Sequence, residues 1–131
     1  MMYGSESWVS LDKHMSRVTA AEMRYLRRIV GKSRRDRVRN ETVRGELGVK
    51  PARDKIEEKQ LRWLGHAGRA GEESQIKKFF EAKPEGRRPR GRPRVGYKEY
   101  MERLGMARGK RWQEMRNMWE DRVVWRRWTE A

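Results

Sequence analysis

The chain has 131 residues, of which 34 are Lys or Arg and 19 are Asp or Glu, so its formal net charge is +15 at pH 7. This balance is typical of proteins that bind nucleic acid, although an anionic membrane surface would attract it too. Only 35% of the residues are hydrophobic, which indicates a small core. The sequence has no cysteine, which excludes disulfides and thiolate metal sites. We therefore expect a reducing compartment, the nucleus or the cytoplasm. No apolar run approaches the ~18 residues of a membrane span, so we expect no membrane partner.

Apolar residues at steps of three and four predict a first helix over residues 11–30. They are Leu11, Met15, Val18, Ala21, Tyr25, Leu26 and Ile29. Ser10 is the expected N-cap and Gly31 the expected stop. A second stripe of this helix holds Arg17, Arg24 and Arg28, with Arg27 beside it. The stripe is either a solvated face or a contact for nucleic acid.

A basic segment follows at residues 32–39 and contains Arg34, Arg35, Arg37 and Arg39. It is interpreted as a loop that contacts backbone phosphates or as a nuclear-import patch. A short helix over residues 40–47 is predicted next, with Asn40 as its N-cap and Gly48 as its stop. Pro51 suits the first turn of a third helix, which carries Ile56, Leu61, Trp63, Leu64 and Ala67. A fourth helix over residues 72–82, with Ser74 as a cap, is expected to bury Ile76, Phe79 and Phe80.

Residues 86–94 form a strip of arginine, proline and glycine without acidic or large apolar side chains. Its five arginines are Arg87, Arg88, Arg90, Arg92 and Arg94. Because two of them precede a proline, the strip is predicted to be extended, about 28 Å long at polyproline rise. Residues 89–93 resemble an AT-hook, the motif that lies in the minor groove of A·T-rich DNA. The alternative is a solvated basic linker.

The C-terminal part predicts a helix over residues 97–104 that stops at Gly105. A tryptophan-rich helix over residues 111–129 follows, with an interruption near Asp121 as an alternative. The tryptophans are expected to pack on the 97–104 helix. The fold class is therefore all-α, with an N-terminal helical unit at 1–83, the basic strip at 84–95 and a C-terminal helical unit at 96–131.

The sequence contains no recognised set of catalytic or metal-binding residues. His14 and His66 are the only histidines, and no cysteine can join them. No recognised metal-ligand spacing, nucleophilic triad or phosphate-binding glycine loop occurs. We therefore expect no cofactor, no metal, no small-molecule substrate and no catalytic residue.

Six segments of the sequence carry a further signal. They are Tyr3-Gly4-Ser5-Glu6-Ser7-Trp8, Glu22-Met23-Arg24-Tyr25-Leu26-Arg27-Arg28-Ile29, Arg35-Asp36-Arg37-Val38-Arg39-Asn40-Glu41, Leu61-Arg62-Trp63-Leu64-Gly65-His66, Gly91-Arg92-Pro93-Arg94, and Asp121-Arg122 with Trp125-Arg126. In this order they resemble the C-terminal end of reverse transcriptases from LINE-type (non-LTR) retrotransposons. The family's arginine-proline turn usually runs into a tryptophan and then aspartates, whereas Val95-Gly96-Tyr97-Lys98-Glu99 follows here. The loop over residues 106–110 is longer than usual.

The resemblance implies the thumb and post-polymerase region of an RNA-directed DNA polymerase, truncated before the catalytic palm. The palm's metal-binding aspartates are absent, since no two aspartates are adjacent in the sequence. The expected function is therefore non-catalytic binding of RNA template or target DNA, with the rest of a reverse transcriptase as a partner. The alternative is a free-standing AT-hook-type DNA-binding protein. The candidate contacts are Arg24, Arg28, Arg34, Arg35, Arg37, Arg39, Arg87, Arg88, Arg90, Arg92 and Arg94.

Overall fold

The computed structural model describes residues 4–83, 85–87, 90–91 and 94–131, and across them the fold is all-α, as the sequence predicts. After a short 3₁₀ helix at Ser5–Ser7 come α1 (Asp12–Ile29), α2 (Asn40–Leu47), α3 (Ala52–Gly68), α4 (Gln75–Glu81), α5 (Tyr97–Ala107), α6 (Trp112–Trp119) and α7 (Arg122–Glu130). None of these helices in the described part of the chain is both long and apolar enough to cross a membrane.

Glycines end two of the helices where the sequence predicts. Gly31 and Gly48 follow α1 and α2 with φ of 68° and 61°, a left-handed conformation that glycine adopts without steric cost. The predicted stop at Gly105 is wrong, because α5 continues to Ala107 and Gly105 is buried within it. The left-handed glycine after α5 is Gly109, with φ of 76°.

The predicted helix starts are less accurate. Leu11, and not Ser10, occupies the N-cap position of α1, and no side chain caps that end. Asn40 is already the first residue of α2, and Arg39 precedes it. The interruption near Asp121 is present: Asp121 Oδ1 accepts hydrogen bonds from the backbone N–H groups of Val123 and Val124 at 2.8 and 3.1 Å and so begins α7.

The chain divides into two compact units, and the division falls within α3. One unit is Ser10–Glu57, and the other combines the described residues of 1–9 with 58–131. This is not the division 1–83, 84–95 and 96–131 that the sequence indicates. The reason is that Leu61 and Leu64 of α3 share a core with the C-terminal helices.

The Ser10–Glu57 unit packs α1 against α2. Its buried cluster consists of Met23, Leu26 and Val43. Glu22 links three parts of the unit, because one carboxylate oxygen accepts from Arg44 Nη2 and the other from the backbone N–H of Ala52, each at 2.8 Å.

The apolar stripe predicted for α1 is buried only in part. Met15 and Leu26 are 4% and 7% exposed, but Tyr25 and Ile29 are 67% and 55% exposed. Met23, which the predicted stripe omits, is 5% exposed. The side of α1 that faces α2 is therefore rotated away from Tyr25 and towards Met23, which packs with Val43.

The other unit is built around tryptophans. Its core contains Leu61, Leu64, Met101, Leu104, Met115, Trp119 and Trp125. The tryptophans of α6 and α7 share this core with α5, as expected, and also with α3. The indole Nε1 of Trp125, which is 2% exposed, donates a hydrogen bond to the Leu61 carbonyl at 3.0 Å.

Glycines on α3 and α5 make room for this core. A Cβ added at Gly65 would stand 2.6 Å from Trp125 Cδ1 and would overlap the neighbouring Nε1. One added at Gly68 would lie 2.6 Å from Trp119 Cδ2, and one at Gly105 would overlap the thioether end of Met115. These positions hold glycine because a large side chain packs directly on the helix backbone.

The helix before the basic strip differs from its prediction. Phe79 is 80% exposed and is not buried as expected. Phe80 is half-buried and packs against the rings of Trp112 and Trp119, with centroids 6.4 and 6.3 Å away. With only seven residues, α4 turns one phenylalanine inward and the adjacent one outward.

Candidate nucleic-acid interface

A concave surface lies within the Ser10–Glu57 unit, with a volume of about 650 Å³. We call it the α1 groove. It is lined by Met15, Ser16, Thr19, Ala20, Met23, Arg24, Arg27, Arg28, Lys32, Ser33, Arg34, Asn40 and Arg53. The lining contains six cationic side chains and no carboxylate, so the groove is suited to an anionic ligand.

Three of these cations are held by contacts inside the protein. Arg27 Nη2 donates to the Val38 carbonyl at 2.7 Å and to Asn40 Oδ1 at 2.9 Å, which fastens α1 to the segment before α2. Lys32 pairs with Glu46. Arg53 Nη2 donates to Asp12 Oδ1 at 2.7 Å, and this hydrogen bond raises the pKa of Arg53.

The other three, Arg24, Arg28 and Arg34, are available to a ligand. All three are exposed, and within the described part of the chain no hydrogen bond or ion pair involves their guanidinium groups. Arg24 and Arg28 are one helical turn apart and therefore lie on the same side of α1. Arg34 comes from the loop that follows α1.

A turn at Ser33 fixes the start of that loop. Asp36 Oδ2 accepts from the backbone N–H of Ser33 at 2.6 Å and from its hydroxyl at 2.9 Å. These two bonds hold the pKa of Asp36 below its ordinary value, with smaller contributions from the charges of Arg27 and Lys32. The carboxylate of Asp36 is thus hydrogen-bonded to Ser33, and within the described residues it forms no ion pair with Arg34.

Methionines and small residues lie among these cations. Met15 and Met23 are almost completely buried, and Ala20 is exposed between them in sequence. Thr19 is half-buried and Ser16 donates its hydroxyl to the Asp12 carbonyl at 2.9 Å. The lining of the groove therefore includes apolar and small residues besides its six cations.

The structure brings together only some of the predicted contact residues. Arg24, Arg28 and Arg34 share the α1 groove. The exposed loop arginines Arg35, Arg37 and Arg39 do not line it. The exposed strip arginines Arg87, Arg90 and Arg94 belong to the other unit. The predictions for Arg88, Pro89, Arg92 and Pro93, and with them the extended form of the strip, lie outside the described residues.

Arg53 is absent from the sequence-based site. Arg53 reaches the groove through Asp12, which precedes it by 41 residues, and no local spacing signals this pairing. Arg27 and Lys32 carry a local signal, since they fall in or beside the predicted basic stretches. Their roles depend on partners that only the fold brings near.

Within the described residues, no three His, Cys, Asp or Glu side chains are placed to hold a metal ion. No family model, curated protein or solved structure matches the chain.

Proposed function

We propose that this chain is a non-catalytic nucleic-acid-binding protein, and that the α1 groove grips the sugar-phosphate backbone. The observation that carries the proposal is the set of three exposed, unpaired guanidinium groups of Arg24, Arg28 and Arg34 around one concave, carboxylate-free surface. A planar guanidinium matches a phosphate with two parallel N–H donors, and it remains charged at every physiological pH.

The internal hydrogen bonds and ion pairs of the groove favour this assignment over a merely solvated basic face. Arg27, Lys32 and Arg53 are tied to protein acceptors, which orders the walls of the groove before any ligand arrives. A preordered site loses less conformational entropy on binding than a flexible tail does. Arg24, Arg28 and Arg34 are therefore presented on a fixed frame.

The biological context that we propose is the C-terminal region of a LINE-type reverse transcriptase. The resemblance of six sequence segments supports it, and so does the basic character of the groove, because a polymerase must hold an RNA template or a target DNA. In this context the chain positions nucleic acid, and a separate palm performs the phosphoryl transfer. It acts without a cofactor of its own.

A second candidate is minor-groove binding of the AT-hook type by the basic strip. Arg90 and Arg94 are exposed, and Gly91 between them has φ of 115°, a conformation that only glycine adopts readily. Exposed guanidinium groups beside such a backbone suit the narrow minor groove of A·T-rich DNA. The two candidates differ in the residues and in the ligand that they require.

Salt dependence of binding tests the first candidate. Each phosphate that a cation neutralises contributes about 0.9 to the slope of log affinity against log salt for duplex DNA and about 0.7 for a single strand. Replacing Arg24, Arg28 and Arg34 together by Ala should therefore reduce the slope by about 2 to 3 and weaken binding at low salt. Fluorescence anisotropy with labelled oligonucleotides measures both quantities.

The matched control replaces three exposed arginines of the other unit, Arg116, Arg122 and Arg127, by Ala. Both triple variants have the same formal charge, +12 after three cations are removed from +15. The control should keep the wild-type slope. Equal losses in the two variants would mean that total charge alone governs binding, and the α1 groove would have no special role.

Competition between an A·T-rich duplex and a structured RNA separates the two candidates. Binding through the strip predicts preference for the duplex and loss of that preference in an Arg90→Ala, Arg94→Ala variant. Binding through the α1 groove predicts that the same variant retains most of its affinity for RNA. A chain that bound neither ligand at low ionic strength would refute both.

A further inference from the structure

We propose that the exposed ring of Tyr25 stacks on one unpaired base of a nucleic-acid strand whose phosphates Arg24 and Arg28 bind. This inference rests on the proposed function and adds to it a contact residue outside the α1 groove. It also specifies the kind of strand that is bound. RNA and DNA share the chemistry that it requires, namely an accessible base face next to a phosphate.

The exposure of Tyr25 is the first reason. It is the only phenylalanine, tyrosine or tryptophan of the Ser10–Glu57 unit, and it is 67% exposed although it lies within α1. Within the described part of the chain, no hydrogen bond engages its hydroxyl and no other ring lies against it. The ring stands outside the buried cluster of this unit and is therefore open to a ligand.

The position of Tyr25 on α1 is the second reason. Residues three or four apart are neighbours on a helix surface, so Ala21 and Arg28 lie next to Tyr25, and Arg24 lies next to both of them. All four side chains are exposed. Because Ala21 is small, a flat ring can lie over Tyr25 while the charged backbone of the same strand reaches the two guanidinium groups.

The neighbours of Tyr25 distinguish it from an ordinary exposed apolar residue, which by itself indicates no ligand. Tyr25 borders two guanidinium groups that form no hydrogen bond or ion pair within the described residues. Basic side chains beside an aromatic platform are the arrangement by which proteins bind single strands. Ile29, which is 55% exposed and one turn after Tyr25, extends the apolar surface for the sugar of the same nucleotide.

A duplex does not offer a base face to this platform. Its bases are stacked inside, and only the backbone and the groove edges meet a protein. An unpaired nucleotide presents an aromatic face and a charged backbone at once. Stacking on Tyr25 therefore favours a single strand over a duplex.

Two substitutions at position 25 test the inference by fluorescence anisotropy with labelled oligonucleotides. Tyr25→Leu removes the aromatic ring but keeps an apolar side chain that favours the helix, and Tyr25→Phe keeps the ring. The ligands are an unstructured single strand and a strand of equal length without bases. The wild type and Tyr25→Phe should bind the intact strand about tenfold more tightly than the abasic strand, since one stacked base contributes on this scale. Tyr25→Leu should lose that preference.

Phe79→Leu is the matched control, because Phe79 is 80% exposed but belongs to the other unit. This variant should keep the tenfold preference. Tyr25→Leu should also keep the wild-type salt dependence, because it removes no phosphate contact. RNA and DNA versions of the intact strand identify the source by their relative affinities, since only RNA carries a ribose 2′-hydroxyl.

The outcomes separate this inference from the proposed function. Equal binding of the intact and abasic strands by the wild type would overturn the inference and leave backbone binding in place. An undiminished preference in Tyr25→Leu, or an equal loss in Phe79→Leu, would likewise remove the special role of Tyr25. Failure of the wild type to bind any oligonucleotide would overturn the proposed function as well. Far-UV circular dichroism of the variants confirms that each one is folded.

Discussion

Replacement of Gly65 by alanine should destabilise the protein, although alanine is the better helix former. Gly65 lies inside α3, and the indole of Trp125 packs directly against it. An added Cβ would stand 2.6 Å from Trp125 Cδ1, well inside van der Waals contact. The indole must therefore move, and its Nε1 then leaves the Leu61 carbonyl to which it donates at 3.0 Å.

Three contributions set the size of the effect. Overpacking a dense core costs about 1–3 kcal/mol. Loss of the buried indole hydrogen bond costs about 1 kcal/mol, or more if the N–H finds no new acceptor. The higher helix propensity of alanine returns about 1 kcal/mol. The net expectation is a loss of about 2 kcal/mol in the free energy of unfolding.

Urea denaturation followed by circular dichroism at 222 nm measures this loss. Gly45→Ala is the control, because Gly45 lies within α2 and a Cβ there would meet nothing within 4 Å. That variant should gain about 0.5–1 kcal/mol from helix propensity alone. If Gly65→Ala were as stable as the wild type or more stable, close packing of Trp125 on α3 would not explain the glycine.

Two further predictions concern ionisable groups. Burial raises the pKa of Tyr97 above the ordinary value of 10.0, so above that pH the unfolded chain releases a proton that the folded chain retains, and stability falls as pH rises. The Tyr97→Phe variant lacks this ionisable group, so above pH 10 its free energy of unfolding should fall less steeply with pH than that of the wild type, by up to ~1.4 kcal/mol per pH unit. Urea denaturation at a series of alkaline pH values measures both slopes, and equal slopes would contradict the prediction. Glu22→Gln breaks a pair in which the Glu22 and Arg44 side chains are only 11% and 14% exposed, and it should cost about 2 kcal/mol. The exposed Glu41→Gln should change stability by less than about 0.5 kcal/mol in the same assay, and equal effects of the two would show that the pair is not important.

The helical architecture could be predicted because its signals are local. Periodic apolar residues mark α1, and glycines at 31 and 48 end the first two helices by their own backbone preference. The break before α7 follows from one aspartate that caps the next turn. Such features need no knowledge of the rest of the chain.

Features that depend on distant partners were not predictable. Gly105 reads locally as a helix stop, yet it is a contact for Met115. Phe79 and Phe80 are chemically identical neighbours, and the positions of Trp112 and Trp119 decide which of them is covered. The apolar stripe of α1 fails at Tyr25 for the same reason, because α2 approaches from another side.

The candidate site likewise combines residues that local signals predict with residues that depend on distant partners. Arg24 and Arg28 are recognisable from helical spacing, and Arg34 from the density of positive charge after α1. Which arginines stay unpaired depends on acceptors such as the Val38 carbonyl, which the sequence does not place near Arg27. Arg53 joins the groove through a pairing across 41 residues.

The distribution of the indoles has a spectroscopic consequence. All six tryptophans belong to the unit that contains the described residues of 1–9 and 58–131, and Ser10–Glu57 holds none. Intrinsic emission excited at the red edge of the absorption band therefore reports the melting of one unit, whereas ellipticity reports both. A difference between the two normalised transitions would show that the groove-bearing unit melts separately from the other, in the unlabelled protein.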